Sequence, residues 1–213
     1  ADNASYAIRG FVQSAGTAPT VGVYFADVVA PRAPTGSSQA GDGAGPGFLF
    51  DLQNTQVLKG PQGTLQGRNT TGGAIIFVPQ KPTWNLEGYV EGSYGNYDMT
   101  RLQGAINVPL GDKARFRIAA DYMDRDGWLK NTSGIGPSDF NDVHYIAVRA
   151  SLVVDLTPNL ENYTIVSYLH SSNNGSVGKQ IDCAPGGQLG AIIFCPSLAN
   201  QTQNANDNFY AVQ

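Results

Sequence analysis

The chain has 213 residues, enough for one or two domains. Its formal net charge is −4 and 14% of its residues are charged, so the composition gives no reason to expect nucleic acid as a partner. It contains no apolar run near the ~20 residues that a membrane helix needs. Strands that cross a membrane alternate in polarity and escape that test.

The first 49 residues predict short strands set among loops. Residues 5–11 and 21–29 carry strand-like apolar runs. The stretches 12–17 and 31–47 are made largely of small, polar and turn-forming residues, and the second is dense in Gly, Pro and Ser. Such compositions favour irregular loops.

The stretch 50–82 is the most informative part of the chain. Residues 56–59 alternate polar and apolar and end at Gly60-Pro61, which stops a strand. Closely spaced glycines predict a tightly turned segment after it. Residues 74–78 form an apolar run ended by Pro79, which predicts a buried strand. Neither a phosphate loop nor a dinucleotide-binding fingerprint fits, because the required lysine and the following amphipathic helix are missing from the sequence.

The residues of this stretch also form a recognisable motif. Its members are Asp51-Leu52, Val57-Leu58, Gly60-Pro61-Gln62-Gly63-Thr64-Leu65, Gly67-Arg68-Asn69-Thr70, Gly72-Gly73-Ala74-Ile75, Val78 and Lys81-Pro82, preceded by Ile8-Arg9-Gly10 and Val21-Gly22-Val23-Tyr24. Together they strongly resemble the plug-domain motif of the TonB-dependent outer-membrane receptors. The sequence departs from that motif at Thr55, Lys59, Gln66, Ile76 and Pro79-Gln80.

From Trp84 onward the sequence alternates in polarity. The even positions of the first run are apolar or small: Trp84, Leu86, Gly88, Val90, Gly92 and Tyr94. A strand with lipid on one face and water on the other needs this pattern. A soluble sheet with one wet face also alternates. The length of the runs favours membrane strands, which need ~9–11 residues where ordinary strands have about 5–6.

Four further strands are predicted at 101–110, 113–125, 143–155 and 160–170, and residues 209–212 are the candidate start of a sixth. The 160–170 strand has ambiguous parity, with Ile165 and Leu169 assigned to the inner face. Short turns at Gly111-Asp112 and Thr157–Asn159 predict the periplasmic end, and the longer loops the outer end. The hairpin at Gly95-Asn96 is short but external.

The predicted fold is therefore dominated by β-structure. Residues 1–82 are assigned to the C-terminal part of a small α+β plug domain, and 83–213 to the first five to six strands of an antiparallel transmembrane β-barrel. So few strands cannot close a plugged transporter barrel, which has about 22. We therefore expect the sequence to be a fragment that starts within the plug; a second chain supplying the missing strands is the alternative.

The resemblance implies that plug loops face the outer vestibule and touch substrate. Gln13, Ser14, Arg32 and Gln39 lie in such loops and are candidate contacts. Each can equally be a solvated loop residue.

The resemblance also implies arginine–glutamate contacts between plug and barrel wall. Lys59 and Arg68 lie in the plug, and parity turns Glu87 and Glu91 towards the lumen. We predict that Arg68 pairs with Glu87 or Glu91. The alternative is that these groups are hydrated separately in the wet lumen.

Cysteine and histidine pairs give two more hypotheses. Cys183 and Cys195 share one Gly- and Asn-rich stretch, and in the oxidising compartment implied by the resemblance they would form a local disulfide; two free thiols are the alternative. A turn centred on Thr157 would set His144 opposite His170, near the outer rim. That arrangement permits a two-histidine metal site, although interfacial histidines are the simpler interpretation.

The function implied by the resemblance is energy-coupled uptake across the outer membrane of a Gram-negative bacterium. The implied partners are the TonB energy-coupling complex, acting through a segment upstream of this sequence, outer-membrane lipid and a small-molecule or metal-chelate substrate, with a ferric siderophore as the commonest cargo. No cofactor and no catalytic constellation are expected. The alternatives are a non-transporting scaffold or a subunit of a larger assembly with other outer-membrane chains, and a soluble all-β binding domain.

Overall fold

A computed structural model describes residues 6–11, 19–30, 49–131 and 136–175, and the backbone of residues 210–211. The chain forms twelve strands and one helical turn in these parts. They are β1 (Val21–Phe25), β2 (Val28–Val29), β3 (Leu52–Lys59), α1 (Gly63–Gln66), β4 (Gly73–Pro79), β5 (Glu87–Gly95), β6 (Met99–Leu110), β7 (Ala114–Arg125), β8 (Leu129–Asn131), β9 (Asp139–Phe140), β10 (Val143–Thr157), β11 (Leu160–Ser171) and β12 (Tyr210–Ala211). None of the described residues belongs to a helix long and apolar enough to cross a membrane.

The first sheet, called here the N-terminal sheet, has the strand order β2-β1-β4-β3. β4 pairs in parallel with β1 and antiparallel with β3. Its central position explains why residues 74–78 are almost wholly apolar, since a strand covered on both faces needs no polar side. Val21 and Val23 of β1 are 1% and 0% exposed, and they pack with Ile75 and Phe77 of β4.

A close approach between strands explains the Gly72-Gly73 pair of the motif. Gly73 has φ +151°, and a Cβ there would lie 2.3 Å from the carbonyl oxygen of Leu58. Any side chain at this position would therefore push β3 away from β4. The neighbouring Gly72 meets the Cβ of Phe11 at 2.7 Å in the same way.

The second sheet, called here the wall sheet, is an antiparallel meander with the order β11-β10-β7-β6-β5. Its apolar face is exposed and its polar face is buried. Leu102, Ile106 and Leu110 of β6 are 48–53% exposed, whereas Asn107 between them is 0% exposed. A soluble sheet would show the reverse, so the predicted alternation and the β-dominated fold class are confirmed.

The face assignment of β11 follows from its register. Ile165 lies opposite Ser151, a buried residue of the polar face, and directly paired residues share a face. Ile165 and Leu169 therefore point to the inner side, as predicted. Val166 and Tyr168 are more than 60% exposed on the outer side.

Two parts of the wall differ from the prediction. The stretch 127–141, which lies between the strands predicted at 113–125 and 143–155, contains the short antiparallel strands β8 and β9. The strand expected at 209–212 is β12, which pairs in parallel with β8 and joins neither edge of the wall sheet. A two-residue strand carries too little alternation to reveal its partner from sequence.

The exposed apolar face generates a prediction that compares two positions on β6. In the intact protein refolded into lipid vesicles, Ile106→Lys should lower the free energy of unfolding by about 2–4 kcal/mol, because it puts a charge on the exposed apolar face that would meet lipid. Gln103→Lys places the same charge on the inner face and should cost far less. Urea titration measures both; equal losses would contradict the face assignment.

Candidate functional site

The N-terminal sheet meets the polar face of the wall sheet at the dipeptide Phe50-Asp51 and at Phe25 of β1. Asp51 lies just before β3 in a left-handed conformation, with φ 49°. Its carboxylate accepts a forked pair of hydrogen bonds from Arg117 of β7, and Nε lies 2.9 Å from Oδ2. The two side chains are only 5% and 7% exposed. A forked arginine–carboxylate pair fixes orientation as well as distance.

Arg149 of β10 makes the second contact with this dipeptide. Its Nη1 donates to the carbonyl oxygens of Phe50 at 3.0 Å and Asp51 at 3.3 Å. The guanidinium lies between two aromatic rings, 4.6 Å from the Phe25 centroid and 4.4 Å from the Phe50 centroid. Arg149 is 2% exposed. The side chain thus joins the wall to both β1 and the segment that enters β3.

The wall provides a fitted surface for the Phe50 ring. Phe50 packs with Tyr145 and the small residues Ala105, Ala119 and Ala147. Tyr145 is held in turn by Asp121, whose Oδ2 accepts its hydroxyl at 2.9 Å. Asp121 also accepts two hydrogen bonds from Arg101 at 2.8 and 3.0 Å.

The link between the two sheets is clamped separately. Asn107 is fully buried; its amide oxygen accepts from Thr83 N and its amide nitrogen donates to the carbonyls of Thr83 and Asn85. Lys81 forms an ion pair with Glu161 of β11. These contacts tie residues 81–85 to the inner face of the wall.

An open polar cleft of about 480 Å³ lies beside the Asp51–Arg117 pair. Its lining is mostly polar and comes from both sheets: Asp51, Leu52, Gln80, Glu87, Gly88, Tyr89, Glu91, Gln103 and Arg117. The seat of the N-terminal sheet is therefore bordered by space for water.

The predicted Arg68 pairing is not formed in the structure. Glu87 accepts from the Thr83 hydroxyl at 2.6 Å, and Glu91 accepts from Gln103 Nε2 at 3.0 Å. Arg68 is exposed beyond α1, and Lys59 is exposed at the end of β3. The ion pair between the two sheets joins Asp51 and Arg117 instead.

Sequence reasoning missed this pair although both signals were present. Asp51 belongs to the motif, and Arg117 lies at an odd, inward position of β7. The charges of both residues, and the inward face of Arg117, could be predicted from the sequence. The depth at which the N-terminal sheet sits along the wall was not, and that depth selects Arg117.

Six predicted site residues lie outside the described residues. They are Gln13, Ser14, Arg32, Gln39, Cys183 and Cys195. The substrate contacts and the disulfide remain predictions.

The two histidines do not lie opposite each other. His170 pairs with Ile146, because Thr157 pairs with Leu160 and the β10–β11 turn is therefore centred on Pro158-Asn159 rather than on Thr157. His144 instead contacts Asp124 at 2.8 Å through Nδ1 and Asp142 at 3.3 Å through Nε2. Among the residues that the structure describes, no group of three or more His, Cys, Asp or Glu could hold a metal ion.

Comparisons with known proteins find relatives of one kind. The chain is 39% identical over 64 residues to the pesticin receptor of Yersinia pestis, and 33% identical over 76 residues to the ferripyoverdine receptor of Pseudomonas aeruginosa. These matches cover 30% and 35% of the chain, but 10% and 9% of the two relatives. The matched part is therefore a small fraction of either relative. No family model matches the chain.

The fold has a counterpart among solved structures. The ferric yersiniabactin uptake receptor of Yersinia pestis superposes with a TM-score of 0.64 at 25% identity, over 78% of this chain and 25% of that one. This structural match covers 78% of the chain, whereas the two sequence matches cover 30% and 35% of it. The similarity therefore extends beyond the motif stretch.

The buried Asp51–Arg117 pair generates a double-mutant cycle. In the intact protein, Asp51→Asn or Arg117→Gln alone should destabilise the N-terminal sheet by about 3–5 kcal/mol, because each leaves a buried charge unpaired. Combining them should cost clearly less than the sum of the two. The effect is measured as the rate of protease cleavage at increasing urea concentration.

The control for that cycle is Lys81→Ala, which breaks a pair whose side chains are 42% and 34% exposed. An exposed pair should contribute about 1 kcal/mol at most. Purely additive effects of Asp51→Asn and Arg117→Gln would show that the two side chains do not act as a pair.

The linker clamp generates a separate prediction. Asn107→Leu keeps the branched shape of the side chain but removes the partners of the Thr83 and Asn85 backbone groups, at about 1–3 kcal/mol for each group left unsatisfied. Proteases should cut residues 82–86 faster in this variant. Gln103→Leu, at an inner position of the same strand, should leave the cleavage rate unchanged; if both variants cut alike, the clamp is not what protects the linker.

Proposed function

We propose that the chain carries the plug sheet and barrel-wall strands of a TonB-dependent outer-membrane receptor, and that the whole receptor takes up a ferric siderophore by energy-coupled transport. The N-terminal sheet belongs to the plug, and the wall sheet belongs to the barrel. The receptor acts in the outer membrane of a Gram-negative bacterium.

The observation that carries the proposal is how the plug sheet is seated. It rests on the polar face of the wall through directional contacts, namely the Asp51–Arg117 pair and the Arg149 contacts with Phe50 and Asp51. A polar cleft of about 480 Å³ runs beside them. Hydrogen bonds and ion pairs beside water can be exchanged for hydration, so this seat can open without exposing a large apolar core.

The substrate class rests on the relatives and on the fold. The proteins that the chain matches are named as receptors for ferripyoverdine and ferric yersiniabactin, both ferric chelates. A ferric siderophore bound from the outside is therefore the proposed cargo. The proposed driving partner is the TonB energy-coupling complex, which would pull on the plug.

The rival function is a non-transporting scaffold of the outer membrane, alone or within a larger assembly. It uses the same wall and the same plug but needs no opening. The two functions differ in whether energy from the inner membrane changes what crosses the wall.

Deletion of the gene in its native host tests the proposal. Iron-starved deletion cells should lose uptake of ⁵⁵Fe from one member of a panel of purified siderophores, and the intact gene should restore it. A proton uncoupler should abolish uptake in the complemented cells and leave surface binding of the same chelate in place. Unchanged uptake of every chelate, with an altered cell envelope, would favour the scaffold.

A further inference from the structure

We propose that Arg149 is the residue that positions the plug: it clasps β1 to the β3 entry segment, and its withdrawal is the step that unseats the plug. The proposal rests on the proposed transport function for its purpose, although the clasp itself can be tested without transport. The clasp consists of Arg149, Phe25, Phe50 and the carbonyl oxygens of Phe50 and Asp51.

The first argument is what Arg149 connects. Phe25 is the last residue of β1, and Phe50 precedes β3, on the other side of the central strand β4. One guanidinium therefore contacts the two strands that flank β4, at the end of the sheet that faces the wall. Losing it therefore loosens two strands of the plug at once.

The second argument is the kind of partner that Arg149 has. Its Nη1 donates to main-chain carbonyls, whereas the carboxylate of Asp51 is bound by Arg117. A main-chain carbonyl is in reach only when the segment occupies its seat. Arg117 thus binds the Asp51 side chain, which can rotate, whereas Arg149 binds the plug backbone itself and so fixes its position.

The third argument is the place of the clasp between two open spaces. On the β5–β7 side lies the polar cleft of about 480 Å³. On the β11 side lies another of about 470 Å³, between Phe25, Ala26 and Val28 of the plug and Tyr163, Ile165 and Ser167 of the wall. Arg149 on β10 lies between them in the strand order. When the stack opens, the two clefts join into one gap between plug and wall.

The fourth argument is why this position needs arginine. A planar guanidinium can stack on a ring with each face while its edge donates hydrogen bonds. A lysine ammonium keeps the charge but offers no plane to fill the gap between two rings. Arg149→Lys should therefore behave as a loss of the clasp, which an effect of charge alone would not produce.

The experiment measures passive leakage through the intact receptor in cells whose coupling complex has been deleted. The probe is vancomycin, a hydrophilic antibiotic that a closed outer membrane excludes. Arg149→Lys and Arg149→Gln should each lower the inhibitory concentration of vancomycin by about tenfold, which corresponds to about 1.4 kcal/mol in the seating equilibrium. The heat-modifiable gel mobility of the barrel should remain that of the wild type.

The matched control is Arg125→Lys. Arg125 lies at the end of β7 and also donates to a main-chain carbonyl, that of Asn141, at 2.6 Å, but this acceptor belongs to the wall. It should not leak. Phe25→Leu removes one stacking ring from the plug side without touching the wall, and should leak even if the Arg149 variants fail to fold.

Each outcome decides the matter. Wild-type exclusion by folded Arg149→Lys together with Phe25→Leu overturns the clasp, and so does equal leakage by Arg125→Lys. Leakage in the Arg149 variants without chelate uptake by the wild-type receptor would keep the clasp and remove the proposed transport. Uptake by the wild type with no leakage in any variant would do the opposite.

Discussion

The structure depends on one constraint: the wall sheet has lipid on one face and water or protein on the other. Such a sheet must carry its charged and polar residues inside, where Asn107, Asp121 and Arg149 are almost fully buried. Buried charges are costly unless they are paired. This need helps to place the plug sheet, because Asp51 supplies the carboxylate that pairs with Arg117 of the wall. Fold and seat are two consequences of the same rule.

Pairing within the wall follows the same principle at each depth. Arg101 and Tyr145 share Asp121, and Arg115 donates to Asp155 and Glu161 while stacking 4.5 Å from the Trp84 ring. These networks rigidify the inner face around the plug. The plug then needs few contacts of its own, and those it has are directional.

The sequence allowed the faces to be predicted and left the partners open. Parity alone placed Leu102 outside and Arg117 inside, because successive side chains of a strand point to opposite faces. The register of β10 and β11 was predicted two residues out, since the turn was expected to centre on Thr157 and is centred on Pro158-Asn159. Arg68 was expected to form the plug–wall pair because the sequence does not distinguish it from the other charged residues that face inward. Only the depth and angle of the plug sheet, which tertiary packing sets, distinguish Asp51 and Arg117 from them.

The clasp also orders the assembly of the protein. The hydrogen bond from Arg149 to Phe50 joins residues 99 positions apart in the chain. Contacts of such separation form late, since the intervening loop must close before they are made. Because Arg149 lies on β10, the fourth strand of the wall sheet along the chain, the clasp cannot form before that strand is in place. A correctly seated plug therefore requires that the wall has already formed as far as β10.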